Sequence, residues 1–251
     1  MKNTIIRISI IAAATALMLS GCNNAAQKAA EKAKADSLAI EQARQDSIAK
    51  AAEMKTKEAQ AMATIARLPE EPVFDIVTNL GTIKVKLYKG TPKHRENFAK
   101  LALTGFYDGH IFHRVIDGFM IQGGDPYSRD TSRRAQELIG QGGPGYTIPA
   151  EFVPEYKHIK GALAAARMSD VANPMKESSG SQFYLVQDTG ACVPLDGSYT
   201  VFGQTVEGIE IIDRIAKVPV NNRNRPLNDV VIKKIILDKD LNELKDAPAA
   251  E

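Results

Sequence analysis

The chain of 251 residues predicts an all-β dominated domain that closes into a barrel, and three observations carry that prediction. First, β-prone runs of strand length recur between Val73 and Leu237, punctuated by Gly-rich turns. Second, only two stretches in that span place apolar residues at helical spacing. Third, the span is about 165 residues, the size of one domain with one core. Many short strands with few helices are the pattern of a barrel rather than of a layered α/β sheet.

Before that domain lie two segments of different character. Lys2 and Arg7 precede an apolar run, Ile8 to Leu19, which is too short for the roughly 20 residues that a permanent membrane helix needs. This predicts a secretory signal peptide over 1–21. The ending Leu19-Ser20-Gly21-Cys22 resembles the bacterial lipobox, and the resemblance implies that the Cys22 thiol receives a diacylglyceryl group and becomes the first mature residue. Several acyl chains on one residue give stable anchoring. The expected location is therefore the cell envelope, at the extracytoplasmic face of a bacterial membrane.

From 22 to 71 the composition shifts to Ala, Lys, Glu and Gln; Gly is absent and Pro appears only at Pro69. Such residues favour helix and lack the bulk to build a core. Asp36-Ser37-Leu38-Ala39 and Asp46-Ser47-Ile48-Ala49 repeat ten residues apart, which matches neither a heptad nor an eleven-residue supercoil period. The segment reads as a tether, helical or flexible, that would span on the order of 65 Å if helical. Pro69 and Pro72 end it.

The domain occupies 72–238. Val73–Thr78 and Thr82–Tyr88 flank Asn79-Leu80-Gly81, and the second run alternates Ile83, Val85, Leu87 with Lys84 and Lys86, a half-buried hairpin. Thr91 offers an N-cap with Pro92 at the first helical position; Phe98, Leu101 and Ala102 follow at helical spacing, and Gly105 stops the turn. Pro126 to Gln141 is polar and reads as a surface insertion. Gly140-Gln141-Gly142-Gly143-Pro144-Gly145 fits the pattern G-x-G-x-x-G but fails as a dinucleotide fingerprint. No strand leads into it, and β-like Tyr146-Thr147-Ile148 follows where a helix should start. Strand-like runs return at 161–166, 182–187 and 199–206. Ile209, Ile212 and Ala216 mark a helix over 207–216, Val230 to Leu237 closes the series, and 239–251 is a polar tail expected to fray.

One stretch concentrates chemistry: Phe112-His113-Arg114-Val115-Ile116-Asp117-Gly118-Phe119-Met120-Ile121-Gln122-Gly123-Gly124-Asp125. Asp117-Gly118 between β-prone runs is a two-residue hairpin signal. A regular hairpin of that kind puts Phe119 on the face of Arg114 and turns Met120 and Gln122 away, so all four can serve one site only if the turn is irregular.

Together with Gly180-Ser181-Gln182-Phe183-Tyr184-Leu185-Val186 and Leu195-Asp196-Gly197-Ser198-Tyr199-Thr200-Val201-Phe202-Gly203, this stretch resembles the cyclophilin family of peptidyl-prolyl cis/trans isomerases in wording, order and spacing. The resemblance covers roughly 72–238. It implies an eight-stranded antiparallel barrel capped by two helices. It also implies a catalytic Arg114, a proline ring held by Phe119, Met120, Tyr184 and Leu195, and a substrate backbone bonded by Gln122. Ala166, Arg167 and Gln182 would line the neighbouring groove, with Tyr199 closing the pocket. The partners are then proline-containing polypeptides, and no cofactor is needed. Pro194 stands where many members carry tryptophan, Tyr199 where they carry histidine, and Arg167 where they carry asparagine. The first departure bears on the family's cyclic peptide inhibitor rather than on Arg114.

Other classes are disfavoured by what the residues lack. With 32 Lys and Arg against 30 Asp and Glu the chain is nearly neutral and has no basic stripe for nucleic acid. The four histidines, His94, His110, His113 and His158, show no metal-ligand spacing, and His113 is expected to be a buried, hydrogen-bonded structural residue. Of two cysteines, Cys22 is assigned to lipid, so Cys192 has no disulfide partner and reads as an apolar filler. No Ser/His/Asp arrangement or CxxC pair suggests hydrolysis or redox chemistry.

Overall fold

The computed structural model describes residues 24–242. The expectations for the signal peptide and for Cys22 lie outside the described residues. The chain divides into two units, Met1–Ala51 and Ala52–Glu251. In the first, helix α1 (Asn24–Ile65) begins, and every described side chain up to Ala51 is exposed, as its lack of an apolar stripe dictates. In the second, the helix ends against the domain. Ala61 is buried, Ile65 packs on the main core, and Leu68 is part of it.

The rest of the second unit runs β1 (Val73–Thr78), β2 (Thr82–Leu87), α2 (Pro92–Leu103), β3 (Arg114–Ile116), β4 (Met120–Gly123), α3 (Arg133–Leu138) and β5 (Thr147–Ile148). It continues with β6 (Ala162–Ala165), β7 (Ser178–Ser179), β8 (Phe183–Val186), α4 (Thr189–Cys192), β9 (Val201–Glu207), α5 (Ile209–Ala216) and β10 (Ile232–Leu237). Eight strands form one antiparallel sheet in the order β10-β1-β2-β9-β6-β8-β4-β3, while β5 and β7 pair separately. The expected closed barrel is corrected to a curled half-barrel. β3 and β10 do not pair as strands. Their edges meet through the segment before β3: the Phe112 N–H donates to the Val230 carbonyl at 2.9 Å and the Ile232 N–H to that of His110 at 2.8 Å.

The core follows from alternation. Ile121, Leu163, Ala165, Phe183 and Leu185 face inward to join Phe74, Ile76, Ile83, Val85, Phe98, Ile212 and Ile235. Phe98 of α2 stands edge-on to Phe74 and to Phe183, at 6.0 and 5.7 Å between ring centroids.

Two local expectations change. Thr91 makes no side-chain cap; the first turn of α2 is capped from a distant loop, where the Glu151 carboxylate accepts the N–H groups of Lys93 and His94, each at 3.0 Å. Of the polar tail over 239–251 the described residues reach Asn242, and these are held in place. Asn242 is buried and pairs with the backbone of Val73 through both its oxygen, at 2.9 Å, and its nitrogen, at 2.8 Å.

Candidate functional site

The site is built around the β3–β4 hairpin, and its register corrects the two-residue turn. Arg114 pairs with Gln122, Val115 with Ile121 and Ile116 with Met120, so three residues, Asp117, Gly118 and Phe119, form the loop. The turn closes through the Phe119 N–H to the Ile116 carbonyl at 3.1 Å, with Gly118 at φ 76°. That one extra residue shifts β4 by one position and so exchanges its faces. Arg114, Ile116, Met120 and Gln122 now share a face, and Phe119 flanks it from the turn, its ring 5.9 Å from the Arg114 guanidinium carbon.

This face is the outer side of the half-barrel, opposite the main core. Across β4, β8 and β6 it carries Met120, Tyr184, Val186, Ala162, Ala164 and Ala166, which form a second buried cluster with Cys192 and Val201. Ala166 lacks the bulk to fill the surface where it lies, and a cavity of about 160 Å³ remains there. Arg114, Phe119, Met120, Gln122, Ala166, Arg167, Tyr184, Leu195 and Tyr199 line it. Gln182, the remaining expected site residue, lines the adjoining groove rather than this cavity, and it bonds Gln122.

A polar chain sets the orientation of these groups. Arg114 Nη1 donates to Gln122 Oε1 at 3.1 Å, and Gln122 Nε2 donates to Gln182 Oε1 at 3.0 Å. Gln182 Nε2 in turn donates to the carbonyls of Gly142 and Gly140 at 2.8 and 3.1 Å. Each amide has its oxygen and nitrogen ends fixed by its neighbours. Arg114 is half-buried, and loss of hydration lowers its pKa; guanidinium is so basic that it remains a cation.

The glycine-rich run is folded around a carboxylate of the chain itself. Asp125 is fully buried; its Oδ2 accepts the N–H groups of Gly140 and Gly142 at 2.5 and 3.0 Å, and its Oδ1 that of Tyr127 at 2.7 Å. A β-carbon on residue 142 would collide with that carboxylate, which is why glycine stands there. The amides that a phosphate would need are thus already engaged.

On the other side of the cavity the expected groove residue Arg167 is committed to local partners. Its side chain is 4% exposed and pairs with Asp170 at 2.5 Å. It donates to the carbonyls of Ser198 and Met168 at 2.7 and 2.9 Å and lies 4.3 Å from the centre of the Tyr199 ring. It therefore holds Tyr199, whose ring stands edge-on to Tyr184 at 6.1 Å.

Two residues that sequence reasoning did not assign stand behind Tyr184. Its hydroxyl is 2.9 Å from His158 Nε2, and His158 Nδ1 is 2.7 Å from Asp196 Oδ1. With the carboxylate accepting from Nδ1–H, Nε2 accepts from the phenol. Burial holds the His158 pKa below its ordinary value despite Asp196. Burial works to raise that of Asp196, but the His158 backbone and ring N–H groups bring it down. Burial also raises that of Tyr184. No sequence signal marks this chain, because its three members lie far apart in sequence.

His113 is buried as expected, with the Ile111 backbone as a marginal hydrogen-bond contact. Neither ring nitrogen has a well-formed partner among the described residues, and burial lowers its pKa to about 4. His110 is likewise unpartnered and lowered by burial to about 4. Cys192 is fully buried, its pKa raised by burial to about 11, in keeping with an apolar filler. Pro194 is exposed in the 3-10 turn that ends at Leu195. Among the described residues no cluster of three potential metal ligands occurs, and no helix is long and apolar enough to cross a membrane.

Comparison with known proteins supplies independent evidence. The family model described as cyclophilin type peptidyl-prolyl cis-trans isomerase matches residues 73–236. The chain is 39% identical over 166 residues to peptidyl-prolyl cis-trans isomerase-like 3 of Gallus gallus, covering 64% of this chain and 92% of that protein. Its Homo sapiens counterpart is 38% identical over 163 residues, with the same two coverages, 64% and 92%. Among solved structures, a cyclophilin type isomerase of Cryptosporidium parvum aligns with a TM-score of 0.59 at 30% identity, over 67% of this chain and 98% of that one. A second crystal structure of that protein, in the presence of the dipeptide Ala-Pro, aligns at 0.57 and 32% identity over 66% and 98%.

Proposed function

The chain belongs to the cyclophilin-type peptidyl-prolyl cis-trans isomerases, and from that premise we propose that it accelerates X-Pro bond rotation in envelope proteins, with Arg114 as the catalytic residue. Rotation faces a barrier of about 18–20 kcal/mol because it breaks amide resonance. It needs a surface that binds the twisted amide better than either planar form. As the bond twists, the prolyl nitrogen becomes pyramidal and regains a lone pair to which a guanidinium can donate.

One observation carries this reading: Arg114 is half-buried at the wall of a cavity that Phe119, Met120, Tyr184 and Leu195 also line, with Gln122 its one hydrogen-bonded acceptor among the described residues. The remaining N–H groups are free to meet a substrate. Met120, Phe119, Tyr184 and Leu195 would hold the proline ring, with Tyr199 at the rim and Gln122 on the substrate backbone. Ala166, Arg167 and Gln182 would border the groove that carries the flanking chain. The Ala-Pro dipeptide used with the Cryptosporidium parvum relative is a ligand of this class. A charge-assisted hydrogen bond in such a site is worth about one to three powers of ten in rate.

The test is Arg114→Ala in the full chain, assayed by exchange spectroscopy on a short Ala-Pro peptide. kcat/KM should fall by about one to three orders of magnitude with the fold intact. Unchanged turnover would remove Arg114 from the mechanism. The anchoring half of the proposal rests on Leu19-Ser20-Gly21-Cys22 and on the Ala/Lys/Glu-rich segment after it. Labelled fatty acid should enter the wild-type chain made in a bacterium and not Cys22→Ser; equal labelling of both would defeat it.

A further inference from the structure

A second cavity, of about 310 Å³, lies on the far side of Arg114 and shares Arg114 and Gln122 with the proline pocket. Because the two cavities share these two residues, one flank of a chain whose proline occupies the pocket can reach the mouth of the second, the other running along the groove of Ala166, Arg167 and Gln182. Its walls come from the insertion after β4, which contributes Gln136 and Glu137 of α3, and from the loop before β10, which contributes Arg223 and Arg225.

The lining of this cavity carries more cations than anions: three guanidiniums, on Arg114, Arg223 and Arg225, against Glu137, which is itself paired with Arg133 at 3.2 Å. Outside the lining, Asp229 pairs with Arg225 and the buried Asp125 carboxylate acts on His113. Arg225 is held in place by Gln136 Oε1 at 2.7 Å and by Asp229 at 3.6 Å. Arg223 is exposed and has no ion pair among the described residues.

The loop that carries these arginines is fixed rather than loose. Asn221 Oδ1 accepts the N–H groups of Arg223 and Arg225 at 2.9 and 3.1 Å. Asn224 adopts φ 58°, uncommon for a residue with a side chain, and its carbonyl accepts the N–H of Val115 at 2.8 Å, the residue next to Arg114. The loop is thereby registered to the strand that bears the expected catalytic residue.

An independent observation points to a ligand. His113 lines the same cavity and is 5% exposed, and neither ring nitrogen makes a well-formed hydrogen bond among the described residues, the Ile111 backbone being a marginal contact. Buried polar atoms in native proteins nearly always find partners, and those that do not mark places where something else supplies one. The lining thus offers an acceptor an imidazole as well as the guanidiniums.

We propose that this cavity is a subsite for a substrate carboxylate, so that the protein favours X-Pro segments with Asp or Glu within a few residues of the proline. The inference rests on the isomerase reading and deepens it by naming a substrate class. Attraction of this kind is screened by salt and resides in the flanking residue, not in the prolyl bond.

The test uses wild-type full chain and Arg223→Glu with Ala-Pro peptides of equal length carrying Glu, Gln or Lys at each flanking position in turn. Both turnover and affinity, by fluorescence anisotropy, are measured. For wild type at low salt, at least one position should give a Glu-over-Gln ratio of about tenfold that shrinks at 1 M salt. In Arg223→Glu the ratio should fall to one or invert, and because the ratio is taken within each protein any general loss cancels. The His113 ring resonances should shift on adding the Glu peptide and not the Gln peptide. Isomerisation with equal ratios at every position overturns the subsite and leaves the isomerase reading standing. Glu-selective binding without isomerisation overturns the isomerase reading and supports the subsite.

Discussion

Arg114 and Gln122 face each other across the β3–β4 ladder, with Nη1 and Oε1 3.1 Å apart. The contact exists because the loop between them holds three residues, and it couples the cation to Gln182 and, through it, to the Gly140–Gly142 backbone. Removing the amide frees the guanidinium to sample rotamers that ordering would otherwise have excluded. Gln122→Ala should lower kcat/KM by about tenfold while leaving the circular dichroism spectrum unchanged. Steady-state kinetics decide it. A variant as active as wild type means that Arg114 is aligned by other contacts.

The Tyr184 hydroxyl serves the fold more than the chemistry. It partners His158 Nε2 at 2.9 Å, while Tyr184 is also among the residues that line the cavity. Tyr184→Phe should keep kcat/KM within about threefold yet lower stability by roughly 1–3 kcal/mol, because a buried imidazole nitrogen loses its partner. Denaturant titration beside the peptide assay separates the two effects. A large fall in turnover with unchanged stability would instead give the hydroxyl a role toward substrate.

Histidines set an acid limit. Burial lowers His110 and His113 from 6.5 to about 4 and lowers His158 as well. Between those values the folded chain binds fewer protons than the unfolded chain, so stability is full above about pH 6.5 and is lost as pH falls toward 4. Calorimetric Tm values should decline over that window. Ring resonances of His110 and His113 should still report neutral imidazole at pH 5; titration of either near 6.5 would contradict the burial argument.

Much of this architecture was legible in the residues. Alternation in Ile83, Val85 and Leu87 gave a strand with the correct buried face, and the spacing of Phe98, Leu101 and Ala102 gave the buried side of α2. Contacts between distant segments were not legible. Asp117-Gly118 is compatible with loops of two or three residues, so the faces of Met120 and Gln122 were settled only by the pairing register. Thr91 has the chemistry of a cap, but Glu151 reaches the same amides with two oxygens and a charge. Arg167 does line the groove, but its engagement with Asp170, Ser198 and Tyr199 depends on a loop whose path no local pattern encodes. Seven of the nine residues around the proposed proline cavity came together because three separate motifs fall on neighbouring strands and their connecting loops, while Ala166 and Arg167 enter from just past β6.

Leu68 sits in the main core, and Ala61 and Ile65 lie against the same unit before Pro69 turns the chain into β1. Mechanical load arriving from residue 61 onward is therefore received by interlocked apolar groups and not by the hydrogen bonds of the first strand. Pulling on this stretch of backbone would meet the seated Leu68 side chain ahead of the β1 ladder.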